Sequence, residues 1–459
     1  MKLSVRFSLI LLAAFILLCS CSGESAEIIP EFDTAAGDSF NYNGMEIVFL
    51  SDTPLFFSYE DFTPSYDAIM KRIKEVEKKY NCKIIYNSTG SLESLVTSAA
   101  VSADRICDAI FMDGLPFRNL SAGGYLLDFS AYSDIIDIND SFRWGTKNVL
   151  EICSANGHLY GVTPAAWVDK LAPYYFLVVT NNDIVMKNGY PHPHEFYENG
   201  TLNRSVFAEM VSTCADLERN IYGIDTSNGF IGRMAVYSDG IGLVDNSSAT
   251  PRSTWHSSLV QYDLQWAADF IAANSEYITQ DGESYEKFVE GNSAMALPAI
   301  YHFCRKIIYT TAMESYSLMP FPCSDAVEPG TCGGFFSTGL DTISLPVFTT
   351  NERETATVIN DIFAPMDGNE SSDALDSYYI SNVFFSSTDL EIYKKCMANT
   401  RYNYWVEGAN APLENIINNV ISGKYTPSQA IDAYIETADE YIINIIVPNE
   451  EGLKEYFAN

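Results

Sequence analysis

At 459 residues the chain carries about three domains' worth of sequence, which excludes a small scaffold held together by disulfides. Apolar residues make up 47% and aromatics 13%, with 29 Tyr and 27 Phe, a composition that excludes a disordered chain. With 27 Lys and Arg against 60 Asp and Glu, the net charge of -33 repels phosphate backbones, so no nucleic acid is expected as a partner.

In chain order, Lys2 and Arg6 precede an apolar run over 7–18, too short to span a bilayer and of the length of a signal-peptide core. The run ends in Leu18-Cys19-Ser20-Cys21, which resembles a bacterial lipobox. Residues 1–20 are therefore expected as a lipoprotein signal peptide, Cys21 as the lipidated mature N-terminus, and 21–44 as an acidic tether. The remaining cysteines are Cys82, Cys107, Cys153, Cys214, Cys304, Cys323, Cys332 and Cys396, with no C-x-x-C pair among them, which rules out zinc-ribbon and thioredoxin patterns. Buried thiols are expected, and Cys323 with Cys332 as a disulfide if the compartment oxidises.

The run 45–50 reads as a first strand, and Ile69, Ile73, Val76 and Tyr80 mark one face of a helix over 65–80. A strand over 83–86, a helix over 91–103 and a strand over 107–112 complete βαβαβ, which predicts a mainly parallel sheet flanked by helices. Ligands meet such sheets outside the carboxyl ends of the strands, so Asp52 and Asp113 are the first candidates for a binding rim. A turn over 156–162 leads to a strand over 174–180, and the change of lobe is expected there. Helices are predicted over 205–219, 264–273, 347–363 and 413–421, then one long helix capped by Thr426 with Pro427 in its first turn.

Six segments in order carry a resemblance. They are Cys107-Asp108-Ala109-Ile110-Phe111-Met112-Asp113; Gly124-Tyr125-Leu126-Leu127-Asp128; Asn156-Gly157-His158-Leu159-Tyr160-Gly161-Val162; Phe176 to Asp183; Phe288-Val289-Glu290-Gly291-Asn292-Ser293-Ala294-Met295; and Ser422-Gly423-Lys424-Tyr425-Thr426-Pro427-Ser428-Gln429-Ala430. Together they resemble extracellular solute-binding proteins of family 1, the maltose-binding-protein-like receptors of ABC importers. The resemblance implies an α/β fold of two lobes, each a mainly parallel sheet flanked by helices, with the ligand cleft between them. Mapped on this chain, the first lobe takes 45–163 and 318–366, and the second takes 164–317 and 367–459 with the C-terminal helices. It implies a monomeric receptor, not an enzyme, without cofactor or metal. The receptor would be held by lipid on the outer face of a bacterial cell membrane and would serve separate ABC permease subunits.

A neutral sugar needs aromatic planes for its C–H faces and acidic or amide side chains for its hydroxyls. Trp167, Trp255, Tyr301, Phe335 and Trp405 lie where the resemblance places cleft residues, and Asp52 and Asp113 at the strand ends supply carboxylates. A cationic ligand, a polyamine or peptide, would instead use Asp52, Asp113, Asp169 and Asp239, and an anionic sugar acid would call on Arg118, Arg143 or Arg233. Hydrolase elbows, P-loops and H-E-x-x-H are missing from the sequence, while a carbohydrate-active hydrolase with paired carboxylates remains the enzyme alternative. His192-Pro193-His194-Glu195 has an alternation that suits a metal, with a plain surface loop as the competing reading.

Overall fold

The computed structural model describes residues 41–52, 66–112, 114–145, 147–150, 153–167, 174–175, 177–240, 244–245, 252–280, 285–298, 315–327, 334–336, 342–384, 386–398, 400–402 and 412–456. The expected signal peptide, the lipidation site and residues 21–40 of the tether lie outside them. The strands are β1 (Met45–Ser51), β2 (Cys82–Ser88), β3 (Ala109–Met112), β4 (Ser154–Ala155), β5 (His158–Leu159), β6 (Tyr174–Tyr175), β7 (Leu177–Asn181), β8 (Tyr222–Asp225), β9 (Val244–Asp245), β10 (Arg252–Ser253), β11 (Ser293–Ala296), β12 (Tyr316–Pro320), β13 (Gly334–Phe336), β14 (Thr342–Ser344) and β15 (Thr400–Tyr402).

Two four-stranded sheets carry the fold. The first has the order β14-β3-β1-β2, with β1 parallel to β2 and β3 and with β14 antiparallel to β3. The second has the order β12-β7-β11-β8, where β11 runs parallel to β8 and β7 opposes both neighbours. In each sheet three strands share one direction and one opposes them, so the mainly parallel expectation holds by direction. Both sheets are buried, as all four residues of β3, all five of β7 and all four of β11 show, the burial that helices on both faces produce.

The helix Tyr66–Tyr80 buries Ile69, Ile73, Val76 and Tyr80, the four residues that its spacing selects. Near the second sheet, Gly223 in β8 lies so close to the helix Arg204–Thr213 that a Cβ would stand 1.9 Å from the Val211 carbonyl oxygen. Only glycine fits there.

Several expected elements differ. The strand predicted over 174–180 is divided: β6 pairs with β13 in a three-stranded sheet of order β15-β13-β6, while β7 joins the second sheet. The helix predicted from 347 begins at Glu352, because Pro346 still bridges to Leu126 alongside the first sheet. The chain also stays with the first sheet beyond 163. Ala165 N donates to the Arg143 carbonyl at 2.8 Å, and the Trp167 and Phe363 rings meet edge to face at 4.7 Å. The long last helix is divided into Pro427–Asp432, Ile435–Tyr441, a π-helical turn Ile442–Ile446 and Val447–Tyr456. Its start is as expected: Thr426 accepts from Gln429 N, and the Gln429 side chain accepts from Thr426 N in return, a reciprocal cap. Among the described residues no helix is long and apolar enough to cross a membrane.

Candidate functional site

Strand order decides where a ligand can sit. From β1 the chain moves outward to β2 and then back past β1 to β3. Right-handed crossovers in opposite directions put the two connecting helices on opposite faces. The crevice between them opens at the carboxyl edge of β1 and β3, the place where open α/β sheets bind ligands. Buried Ser51 and half-buried Asp52 stand at the end of β1, and Thr89 N donates to the Ser51 carbonyl at 2.8 Å, which ties the end of β2 to the same rim. Asp113 follows β3 in the sequence, but it lies outside the described residues, as do Asp169, Tyr301, Trp405, Cys21 and Cys332. Phe335 is described as a backbone position of β13, in register with Tyr175 and Arg401.

The second sheet presents its own carboxyl edge. At the end of β8, fully buried Asp225 accepts from Phe288 N at 2.9 Å and from the Thr279 hydroxyl at 2.7 Å. Thr226 follows, fully buried, its hydroxyl without a hydrogen-bond partner among the described residues. Ser227 then caps the helix Asn228–Ser238 by accepting from Phe230 N, and Gln280 Nε2 donates to Asn228 Oδ1 at 2.6 Å. The polar edge at Ser51 and Asp52, fixed by backbone bonds, suits an uncharged polyhydroxylated ligand, whereas Asp225 and Thr226 are fully buried in this conformation.

Trp167 and Trp255 correct the aromatic expectation. They are 1% and 0% exposed, so neither ring has a face to offer a ligand in this conformation. Both belong to the packed interior, where an apolar indole gains most. Cys323 is buried beside Ser324, and its predicted partner is outside the described residues.

The charged candidates are engaged elsewhere. Asp239 is 3% exposed; its carboxylate accepts from Ser324 N at 2.7 Å and from the Ser324 hydroxyl. A cationic ligand cannot reach it. Arg118 Nη1 donates to the Tyr441 hydroxyl at 3.4 Å, Arg143 Nη2 to the Asn360 carbonyl at 2.5 Å, and Arg233 Nη2 to Glu414 Oε2 at 2.6 Å. His192 is a helix cap: it accepts from His194 N and opens the helix Pro193–Glu198, with Glu195 accepting from His192 N. Burial, with His194 close by, pulls the His192 imidazole below its ordinary range. His194 Nε2 lies 2.7 Å from Asp389 Oδ1, which also accepts from Leu318 N at 2.7 Å. The alternation thus serves capping and packing, and neither the metal nor the loop reading describes it.

Sequence reasoning missed one buried ionic cluster. Arg204 Nη1 donates to Asp263 Oδ1 at 2.7 Å, Nη2 donates to the Ala235 carbonyl at 2.8 Å, and Asp239 lies at 3.5 Å. The guanidinium also covers the Trp266 ring at 4.7 Å. Burial pushes the Asp263 carboxyl up to about 8, against the pull of Arg204 and with that of Asp239. The one available signal was an arginine just after the cap Asn203, in line with Phe207 and Val211 on the buried face of its helix.

No family model matches the chain, and no curated protein matches it either. Solved structures do. An ABC substrate-binding protein from Listeria monocytogenes in complex with cycloalternan superposes with a TM-score of 0.60 at 12% identity, over 87% of this chain and 98% of that one. A sugar transporter from Rhizobium etli in an open conformation gives 0.60 at 13% identity, over 90% and 99%. The maltose-maltodextrin binding protein of Alicyclobacillus acidocaldarius gives 0.58 at 12% identity, over 86% and 99%. The chain has the two-lobed α/β fold of the periplasmic binding proteins.

Proposed function

We propose that this protein is an extracytoplasmic solute-binding protein that captures a carbohydrate by lobe closure and delivers it to an ABC importer. The observation that carries this reading is the match over 86–90% of the chain to receptors described with sugars, on a fold whose strand order opens a polar crevice at Asp52. Asp52 and Asp113 are assigned as acceptors for sugar hydroxyls, and Tyr301, Phe335 and Trp405 as apolar platforms. The protein acts by binding and release, with no reaction step.

In this reading the lobes follow 45–163 with 318–366, and 164–317 with 367–459, with three refinements. The first crossing falls after Trp167 and the second after Pro320, and the last helix returns to the first lobe. The lipid on Cys21 holds the receptor at the outer face of the membrane, beside permease subunits that are separate chains.

The test is thermal unfolding of the protein against mono- and oligosaccharides, sugar acids, polyamines and peptides. A ligand at 100 times its Kd adds ~2.7 kcal/mol, a rise of a few degrees in midpoint for a chain of this size. A rise with one saccharide class, and no product formed, is the expected result. A response to polyamines alone, or turnover of any compound, would sink the proposal.

A further inference from the structure

Basic residues are unevenly spread along this acidic chain. Six of the 27 Lys and Arg fall within 71–83, where Glu75 and Glu77 are the only acids. The helix Tyr66–Tyr80 turns Ile69, Ile73, Val76 and Tyr80 inward, so Lys71, Lys74 and Lys78, three and four residues apart, share its outer face. Over 66–83 these three lysines are exposed with Lys79 and Lys83, against two exposed acids, Asp67 and Glu75. Glu77 is turned to the backbone, where it accepts from Ile84 N at 2.8 Å. Lys71 pairs with Glu75 at 3.6 Å, Lys79 with Asp361 at 2.6 Å and Lys83 with Glu46 at 3.5 Å. Lys74 and Lys78 make no ion pair among the described residues.

The face has a definite place in the fold. Tyr42 N donates to the Tyr80 carbonyl and Gly44 N to the Asn81 carbonyl, each at 2.7 Å. Strands β1 and β2 start in register, Met45 opposite Cys82 and Glu46 opposite Lys83. The lysine-rich end of the helix therefore lies at the amino edge of the first sheet, where the chain enters the fold, and the crevice at Ser51 and Asp52 opens at the opposite edge. The 20 residues 22–41 separate that entry from Cys21, a span of at most about 70 Å.

We infer that this face orients the protein on its membrane: Lys74 and Lys78, with Lys71, Lys79 and Lys83 around them, dock on the anionic phospholipid headgroups beside the anchor. The rest of the surface, acidic on balance, is repelled by the same headgroups, so one attracted face suffices to set the orientation. Exposed ion pairs such as Lys71–Glu75 are weakly held, while lysines near an anionic lipid surface gain from every headgroup within a Debye length. Attachment at Cys21 makes the encounter intramolecular, which raises the local headgroup concentration without any new contact. Docked this way, the receptor turns its crevice away from the bilayer, toward arriving solute. The inference rests on the lipid-anchored reading and not on the identity of the solute.

The test attaches the chain from Ser22 onward, through an N-terminal hexahistidine, to vesicles carrying a nickel-chelating lipid in phosphatidylcholine alone or in an equimolar mixture with phosphatidylglycerol. Amine acetylation is followed lysine by lysine by mass spectrometry. We expect Lys74 and Lys78 to react several-fold more slowly on the phosphatidylglycerol vesicles, with exposed Lys187 and Lys424 unchanged, and the difference to vanish at high salt. Lys74→Glu with Lys78→Glu should erase the slowing at Lys71 and Lys83, with an unchanged unfolding midpoint as the sign that the fold is kept. Equal rates on the two kinds of vesicle overturn the inference. Slowing in free solution that disappears when 22–40 is deleted assigns the face to the acidic tether and overturns it too. Incorporation of an alkyne-labelled palmitate at Cys21 of the full chain in bacterial cells is read separately. A chain without lipid at Cys21 overturns the anchor on which the inference rests, whereas equal rates on the vesicles overturn the face alone.

Discussion

Arg204 shows how a single side chain ties burial to charge. It is 4% exposed, and its guanidinium bridges two helices through Asp239 and Asp263. Replacing it with Leu leaves buried Asp239 and Asp263 without the guanidinium that they face, and we expect a loss of about 3 to 5 kcal/mol in denaturant unfolding. Asp263 itself predicts a pH dependence. Its folded value of about 8 stands above the ordinary 3.8, so the folded protein keeps a proton that the unfolded chain has released. Its contribution to stability is present at acid pH and is lost as pH rises from about 4 through 8. Asp263→Asn should flatten that part of the profile, measured as the difference in unfolding midpoint between variant and parent at several pH values. Trp167→Ala and Trp255→Ala should each cost about 3 to 5 kcal/mol of stability and leave sugar affinity unchanged; a variant with intact stability and weakened binding would return its indole to the cleft. These residues mark a limit of reading from sequence. Position after a predicted crossing made both tryptophans candidates, but whether an indole faces solvent depends on neighbours as distant in sequence as Phe363. The Arg204–Asp263 pair, 59 residues apart, left only the faint trace of an arginine on an apolar helix face, whereas the place of Asp52 at the end of β1 follows from the apolar pattern of that strand.

Among elements, boundaries with a local cause were legible and boundaries with a tertiary cause were not. Thr426 and Gln429 cap the helix Pro427–Asp432 from within five residues, so Thr426→Ala should lower stability by about 1 kcal/mol, read as a lower midpoint in urea. The end of that helix is set elsewhere, because the chain must turn from the second sheet's helices toward β5, and no periodicity records that. The division between β6 and β7 has the same origin, since adjacent segments were recruited by different sheets. Gly223 is another tertiary constraint inside a local element. Gly223→Ala would drive a methyl into the Val211 carbonyl and should destabilise more than the usual Gly→Ala change in an exposed strand, with lost cooperativity as the sign that β8 has shifted.

Over the whole molecule, the net charge of -33 is a self-repulsion that acts on the folded state more than on the expanded one. Added NaCl should therefore raise the unfolding midpoint up to roughly physiological ionic strength, where the Debye length falls to about 8 Å. The two-lobed architecture was legible from six ordered segments, most of which lie at a strand or the turn beside one, while Ser422–Ala430 marks the cap of a C-terminal helix. The site was legible only on the first sheet, where βαβαβ order alone locates the switch of direction.

The place of β14 has a consequence for synthesis. It completes the first sheet by pairing with β3, yet it comes some 230 residues later. At about 5–20 residues per second, a nascent chain holds β3 with an open edge for roughly ten to fifty seconds. The first sheet cannot finish before the second is made, so the polypeptide stays incomplete, and easily threaded, until nearly three-quarters of it has been translated. The vulnerability in that interval is an unpaired edge open to chaperones or to a neighbouring copy.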